Sequence, residues 1–150
     1  MSGSLPVKNP DRPYPMRKKE TIERAKNYVA LSNQHHLPLI KPLFADDATY
    51  YSAYSGEYKD SAAIHAMMTD FFTRFPDAHW EVPEYRCTED YGIEFDFVMT
   101  GTDASSGERV RRQGSERIYF TPEGLIRHIA VFKPDENPQR ADHSDHTTSS

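Results

Sequence analysis

The chain has 150 residues, a net charge of -5 and 37% hydrophobic residues, values typical of one globular domain with a single core. The central part has no run of Lys and Arg interleaved with aromatic residues, which argues against nucleic acid as a partner. No apolar stretch approaches the ~20 residues that cross a bilayer, and the N-terminus lacks the apolar core of a signal peptide. The single cysteine, Cys87, has no internal disulfide partner. We therefore expect a cytoplasmic protein without membrane contact.

Composition divides the chain into three parts. Residues 1–18 combine four prolines with basic residues and predict a flexible arm. Tyr14 and Met16 leave open the alternative that this arm packs on the domain or on a partner subunit. Residues 19–133 carry the apolar periodicity of a folded domain. Residues 134–150 are polar and predict a disordered tail.

Apolar residues at helical spacing predict three helices, all in the first half of the chain. The first begins near Thr21 and ends at residues 33–36. A short second helix starts at Pro38 and is closed by residues 45–48, because proline is tolerated in a first helical turn. The third is capped by Ser61 and ends at Pro76. Its apolar positions are Ile64, Met67, Met68, Phe71, Phe72 and Phe75.

Alternating residues with high β-propensity predict five strands, and the segment 56–60 is interpreted as a loop. With helices first, one strand, another helix and then a run of antiparallel strands, the order predicts an α+β fold with helices on one side of a curved sheet. The last strand is apolar on both faces, which favours a homodimer through the back of the sheet. The predicted strands are residues 49–52, 79–88, 91–102, 109–120 and 125–132.

Glu116 stands out within the hairpin formed by the last two strands. A turn at residues 121–124 joins them, with Pro122 preset for its second position and Gly124 able to take a positive φ. Alternation places Glu116 on the same face as Ile118 and Phe120. A carboxylate on an apolar face needs a partner or must line a cavity, so the segment predicts a buried acid.

The order and spacing of several short motifs resemble the NTF2-like superfamily, and more narrowly its SnoaL-like and ketosteroid isomerase-like branches. The resemblance covers residues 20–133. It implies a cone in which a curved antiparallel sheet wraps around three helices and leaves a deep, mostly apolar cavity. The segments that carry it are residues 43–50, 56–58, 62–64, 75–77 with Trp80, 100–102 and 120–126.

Two residues match positions that donate hydrogen bonds to an enolate oxygen in ketosteroid isomerases. Tyr28 lies eighteen positions before Asp46, and Glu116 lies four positions before Phe120, as in that family. The family's acid is kept protonated by an apolar site. Ser52 stands where the family has its proton-shuttling Asp, and a hydroxyl needs activation to act as a base near neutral pH. For polyketide cyclases, whose acidic residue ends the last strand, the nearest equivalent is Asp135.

The resemblance implies that Tyr28 and Glu116 are catalytic and that a set of mainly apolar residues binds the substrate. Candidate bases are Asp96, His65, His79 or a water held by Ser52. The alternative for the pair is structural, with Tyr28 packed in the core and Glu116 paired with Arg112 or another cation. The proposed substrate-binding residues are Tyr50, Ser52, Met67, Phe71, Trp80, Phe95, Phe97, Met99, Arg112, Ile129 and Val131.

The sequence therefore predicts a SnoaL-like protein that binds a small hydrophobic molecule. Its activity would be that of an isomerase, cyclase or dehydratase acting on an apolar or polycyclic carbonyl compound. The alternative is a non-catalytic binding or dimerisation module of the same fold. Neither a cofactor nor a metal is expected, since the sequence has neither a Cys pair nor a His-x-x-x-His helix. Asp46–Asp47 is interpreted as a solvated pair and His35–His36 as an exposed loop pair.

Overall fold

The computed structural model describes residues 17–88 and 91–134. Outside this range lie the first 16 residues of the predicted arm and residues 135–150 of the predicted tail, including Asp135. Helix α1 spans Lys18–Asn33, close to the predicted bounds. Its buried face is formed by Thr21, Ala25, Tyr28, Val29 and Ser32. No helix in the described part of the chain is long and apolar enough to span a membrane.

The second helix is shorter than predicted, and the strand after it begins earlier. Helix α2 spans Leu37–Ile40, a 3-10 turn follows at Lys41–Leu43, and strand β1 spans Phe44–Ser52. The prediction that residues 45–48 close a helix is wrong, because they belong to β1. The pairing of β1 is irregular between Phe44 and Thr49, and the exposed Asp46 and Asp47 lie in this interval.

The segment predicted as a loop is an edge strand, β2, at Gly56–Lys59, and it pairs antiparallel with β1. Helix α3 spans Ser61–Arg74. Its cap is Asp60 and not the predicted Ser61, since an Asp60 carboxylate oxygen accepts a hydrogen bond of 2.9 Å from the backbone N–H of Ala63.

The remaining strands follow the predicted hairpin plan. The predicted strand 79–88 is divided into β3 at His79–Glu81 and β4 at Tyr85–Thr88. Pro83 lies between them and has no N–H to donate to a ladder. The long hairpin strands are β5 at Gly92–Thr102, β6 at Arg109–Phe120 and β7 at Ile126–Phe132.

All seven described strands form one curved, unclosed sheet in the order β2, β1, β7, β6, β5, β3, with β4 also pairing with β5. The α+β cone is confirmed. The sheet is mixed and not wholly antiparallel, because β1 and β7 pair in parallel. That pairing joins segments far apart in sequence, so local patterns did not reveal its direction.

The inner face of the sheet carries the core, including Ile93, Phe95, Ile118 and Ile129, none more than 1% exposed. Ile126 also belongs to this core, whereas simple alternation along β7 placed it on the outer face with His128. A register shift between β6 and β7 explains the difference, since Tyr119 pairs with His128 and Phe120 with Ile126.

Candidate functional site

A cavity of about 150 Å³ lies between helices α1 and α3 and the inner face of the sheet. Most of its wall is aromatic or aliphatic, as is usual for small-molecule sites. The residues that line it are Tyr28, Val29, Ser32, Tyr50, Ser52, Tyr54, Ser55, Met67, Met68, Phe71, Phe72, Arg74, Phe75, Trp80, Phe95, Phe97, Met99, Arg112, Glu116 and Val131.

Glu116 lies in the middle of the sheet, paired with Phe95 on β5 and with Val131 on β7. Only 6% of the residue is exposed. Burial raises the pKa of its carboxyl group from 4.5 to about 8, because ionisation in an apolar wall loses hydration. Glu116 is therefore mainly protonated at neutral pH and can donate a hydrogen bond.

The structural alternative of an ion pair between Glu116 and Arg112 is not realised. Four residues along a strand separate their backbones by about 13 Å, although both side chains share one face. Within residues 17–88 and 91–134 no cation lies at ion-pair distance from Glu116, and no side chain is hydrogen-bonded to it. The carboxyl group thus faces the cavity without a counter-charge.

Three tyrosines surround Glu116. Burial raises the pKa of Tyr28, on α1, and that of Tyr50, on β1, well above the usual value, and the charge of Glu116 raises both further. Burial and then the charge of Glu116 raise the pKa of Tyr85, on β4, to about 12. Each of these hydroxyls consequently keeps its proton at neutral pH. Tyr28 and Tyr50 line the cavity together with Glu116.

Ser52 stands at the position that matches the proton-shuttling Asp of the ketosteroid isomerases. It lies in the same row of the sheet as Glu116. Val131 separates them, because it pairs with Glu116 on one side and with Ser52 on the other. Two strand spacings put the two backbones roughly 9 to 10 Å apart. The Ser52 hydroxyl oxygen accepts a hydrogen bond of 3.0 Å from the N–H of Tyr54.

The other candidate bases do not line the cavity. Asp96 lies on the outer face of β5, where one of its carboxylate oxygens is 3.8 Å from the Arg86 guanidinium. His65 and His79 are likewise absent from the cavity wall, and His79 is exposed. Of the predicted bases, only a water held by Ser52 has access to the cavity.

The predicted substrate-binding residues line the cavity, with the exception of Ile129. Ile129 is fully buried between Ile118 and Tyr50 and belongs to the core of the sheet. The prediction missed a ring of neighbours. Val29 and Ser32 follow Tyr28 on one helical face, and this spacing was readable in the sequence. The others missed are Tyr54, Ser55, Met68, Phe72, Arg74 and Phe75.

One wall of the cavity is an aromatic cluster around Trp80. Its ring lies 5.6 Å from that of Phe71 and 6.1 Å from that of Phe72. The Asn33 side chain fixes this strand to helix α1, accepting a bond of 2.7 Å from the Trp80 N–H and donating one of 3.0 Å to its carbonyl. The described residues contain no cluster of three or more potential metal ligands.

The cone-shaped sheet, the helices on its inner face and the enclosed cavity define the NTF2-like class of folds. The sequence matches the family model of the SnoaL-like domain over residues 25–129. The chain therefore belongs to the SnoaL-like family. No curated protein matches the sequence significantly.

Solved structures with the same fold are distant in sequence. The epoxide hydrolase/cyclase-like enzyme SalBIII, described in pyran ring formation in polyether salinomycin, is 18% identical with a TM-score of 0.71, covering 77% of this chain and 92% of its own. A putative isomerase from Bacillus subtilis is 16% identical, with a TM-score of 0.69 and coverages of 87% and 96%. AclR, a putative hydroxylase from Streptomyces galilaeus, is 22% identical, with a TM-score of 0.66 and coverages of 78% and 81%. These likenesses establish the fold alone.

Proposed function

We propose that this protein binds a small apolar carbonyl compound in the cavity and polarises its carbonyl group. The observation that carries the proposal is Glu116, a buried carboxyl group that faces the cavity without a counter-charge. A neutral carboxylic acid donates a strong hydrogen bond to an oxygen that gains negative charge. Tyr28 is the second donor, and Tyr50 lies beside it on the cavity wall.

The dimensions of the cavity set the size of the ligand. Apolar cavities of about 150 Å³ accommodate a benzene-sized molecule. Tyr54 and Arg112 line the same cavity, and a compound of one or two rings fits a space of this size better than a four-ring steroid. The aromatic cluster around Trp80 offers ring faces on which such a planar compound can stack.

Polarisation by Glu116 supports an acid-assisted reaction such as isomerisation, cyclisation or dehydration. Removal of a proton next to the carbonyl would need a base, and Ser52 can supply only a bound water. Acid assistance without a strong base is also sufficient for ring closure by a hydroxyl of the substrate itself. SalBIII, an epoxide hydrolase/cyclase-like enzyme described as having a role in pyran ring formation, has the same fold, which agrees with this class of reaction.

The rival hypothesis was a non-catalytic binding or dimerisation module. A cone whose interior is filled by its own side chains would favour this non-catalytic role. The cavity instead remains open to a ligand and presents Tyr28 and Glu116 together, which favours binding with polarisation.

The test uses 2-acetonaphthone with a ¹³C-labelled carbonyl as the probe. We expect thermal stabilisation of the wild type and a downfield shift of the bound carbonyl resonance, because hydrogen bonds from Glu116 and Tyr28 draw electron density to the oxygen. Glu116→Leu should lose the shift, whereas Glu116→Gln retains a donor and should keep part of it. Glu123→Leu, in the exposed turn, is the control. An unshifted carbonyl in the bound wild type, or no binding at all, would contradict the proposal.

A further inference from the structure

Positive charge is concentrated at one end of the cavity. The Arg112 guanidinium lies 4.8 Å from the centre of the Tyr54 ring and 5.4 Å from that of Phe75. Lys133 approaches the same Tyr54 ring, with its ammonium group 5.5 Å from the ring centre. Arg74 also lines the cavity and lies over Phe75 at 4.8 Å. Three cations from α3, β6 and the end of β7 therefore surround this end.

These cations differ in how they are neutralised. Arg74 donates a hydrogen bond of 2.9 Å to the Asp103 carboxylate and is paired by it. Arg112 is partly buried and, in the described part of the chain, has no carboxylate at ion-pair distance and no hydrogen-bond acceptor. Burial and the neighbouring charge of Arg74 lower its pKa, although it stays charged near neutral pH. The rings of Tyr54 and Phe75 attract the cation but leave its N–H donors unused.

Glu116 cannot compensate for this charge. It is the one acidic residue among the described residues that line the cavity, it is mainly protonated at neutral pH, and it lies about 13 Å further along the strand. A partly desolvated guanidinium without a counter-ion is unfavourable, and a ligand can supply the missing charge. The planar guanidinium of Arg112 can donate two parallel hydrogen bonds to the two oxygens of a carboxylate.

We infer that Arg112 binds a carboxylate of the ligand at one end of the cavity, while Glu116 and Tyr28 contact a carbonyl oxygen at the other end. This inference rests on the proposed function and makes its substrate class more specific. The ligand is a flat keto acid of one or two rings, anionic at one end and neutral at the other. Lys133 strengthens the positive field at the anionic end, whereas the charge of Arg74 is offset by Asp103.

The test compares 6-acetyl-2-naphthoic acid with its methyl ester, which differ in charge but present the same ketone. By calorimetry at pH 7 we expect the wild type to bind the acid at least 10-fold more tightly than the ester. Arg112→Gln should weaken binding of the acid by about 10- to 100-fold, since charged hydrogen bonds contribute on the order of 1.5 to 3 kcal/mol. The same variant should leave the affinity for the ester nearly unchanged.

Arg111→Gln is the matched control, because it removes the same charge from the adjacent, exposed position that does not line the cavity. It should leave both affinities as in the wild type. Arg112→Lys keeps the charge but lacks the paired N–H donors of the guanidinium, so its affinity for the acid should lie between those of the wild type and Arg112→Gln. This second substitution also provides a readout if Arg112→Gln does not fold.

The outcomes separate the two proposals. Equal wild-type affinities for acid and ester, or equal losses in Arg112→Gln and Arg111→Gln, would overturn the carboxylate site and leave the proposed function standing. Failure of both probes to bind would overturn the proposed function and the carboxylate site with it. Binding of the acid with an unshifted ketone resonance would contradict polarisation by Glu116 and Tyr28, and with it the proposed function, while the preference for the acid would still support the carboxylate site.

Discussion

A carboxyl group buried without a counter-charge changes how a protein responds to pH. In the folded chain the pKa of Glu116 is about 8, against 4.5 for the same group in solution. The unfolded state therefore releases this proton near pH 4.5, whereas the folded state holds it until about pH 8. The contribution of Glu116 to stability is consequently lost as the pH rises through this interval.

Glu116→Gln should remove this pH dependence. Each unit of pKa difference corresponds to about 1.4 kcal/mol, so we expect the variant to be more stable than the wild type by on the order of 4 kcal/mol at pH 8. At pH 4 the two proteins should be equally stable, because the wild-type carboxyl is then neutral in both states. Urea unfolding at both pH values measures the difference, with Glu123→Gln as the control. A Glu116 resonance that titrates near pH 4.5 by NMR would refute the assignment.

For single residues, the sequence predicted the position of a side chain well where the strand alternates regularly between its two faces. Alternation from Gly114 to Phe120 placed Glu116 on the inner face, and the structure agrees. The hypothesis of an ion pair between Glu116 and Arg112 is wrong because residues on one face of a strand are not necessarily close, and four strand residues span about 13 Å. The role of Arg74 in the cavity wall was not predictable, since it depends on how the end of α3 meets the connection between β5 and β6 at Asp103 and Ala104.

Among the elements, helix α3 depends on Asp60 for its start. Asp60 caps the helix through Ala63 and adopts a φ of 75°, a conformation that most side chains avoid. Both effects make this position sensitive to substitution, and α3 supplies one wall of the cavity.

Asp60→Ala should therefore lower the free energy of unfolding by roughly 1 to 2 kcal/mol, mainly through loss of the cap. Asp60→Asn keeps a side-chain acceptor and tolerates the positive φ, so it should cost less. Asp70→Ala, on the exposed surface in the middle of the same helix, is the control for removal of a charge. Chemical unfolding followed by circular dichroism measures all three, and equal losses for Asp60→Ala and Asp70→Ala would contradict the assigned cap.

The elements that sequence reasoning missed lack a local signal. Strand β2 has only four residues and an almost fully exposed pattern, so its identity comes from pairing with β1. The start of β1 was hidden by Asp46 and Asp47, which are uncommon in strands and sit at the irregular part of the ladder. By contrast, both ends of β6 were predicted correctly, because a long alternation of inward and outward side chains is followed by a well-defined turn.

For the whole molecule, the outer face of the sheet remains the predicted dimer interface. Tyr51 and Phe132 lie on it with ring centres 6.0 Å apart, and the Arg117 guanidinium is 5.9 Å from the Phe132 ring. Aromatic residues and arginine are enriched at subunit interfaces. The cavity lies on the opposite face, so dimer formation and ligand binding should be separable.

Light scattering after gel filtration should accordingly give twice the mass of one chain. Tyr51→Arg should shift the mass to that of the monomer, because it places a second charge beside Arg117 and Phe132. Stabilisation by a cavity ligand should persist in this variant. Leu39→Arg adds the same charge at an exposed position on α2 and should remain dimeric. A wild-type mass of one chain at micromolar concentration would refute the interface.

The parallel pairing of β1 with β7 has a consequence for the order of folding. Thr49 and His128, hydrogen-bonded across this pair, are 79 residues apart in the chain. Closing so long a loop is entropically costly, and such contacts form late. Tyr50 and Ser52 therefore pair with Ile129 and Val131 only after the hairpin of β6 and β7 is complete. A nascent chain lacking its last strand would have no finished cavity, so we expect a bound ligand to slow unfolding without accelerating folding.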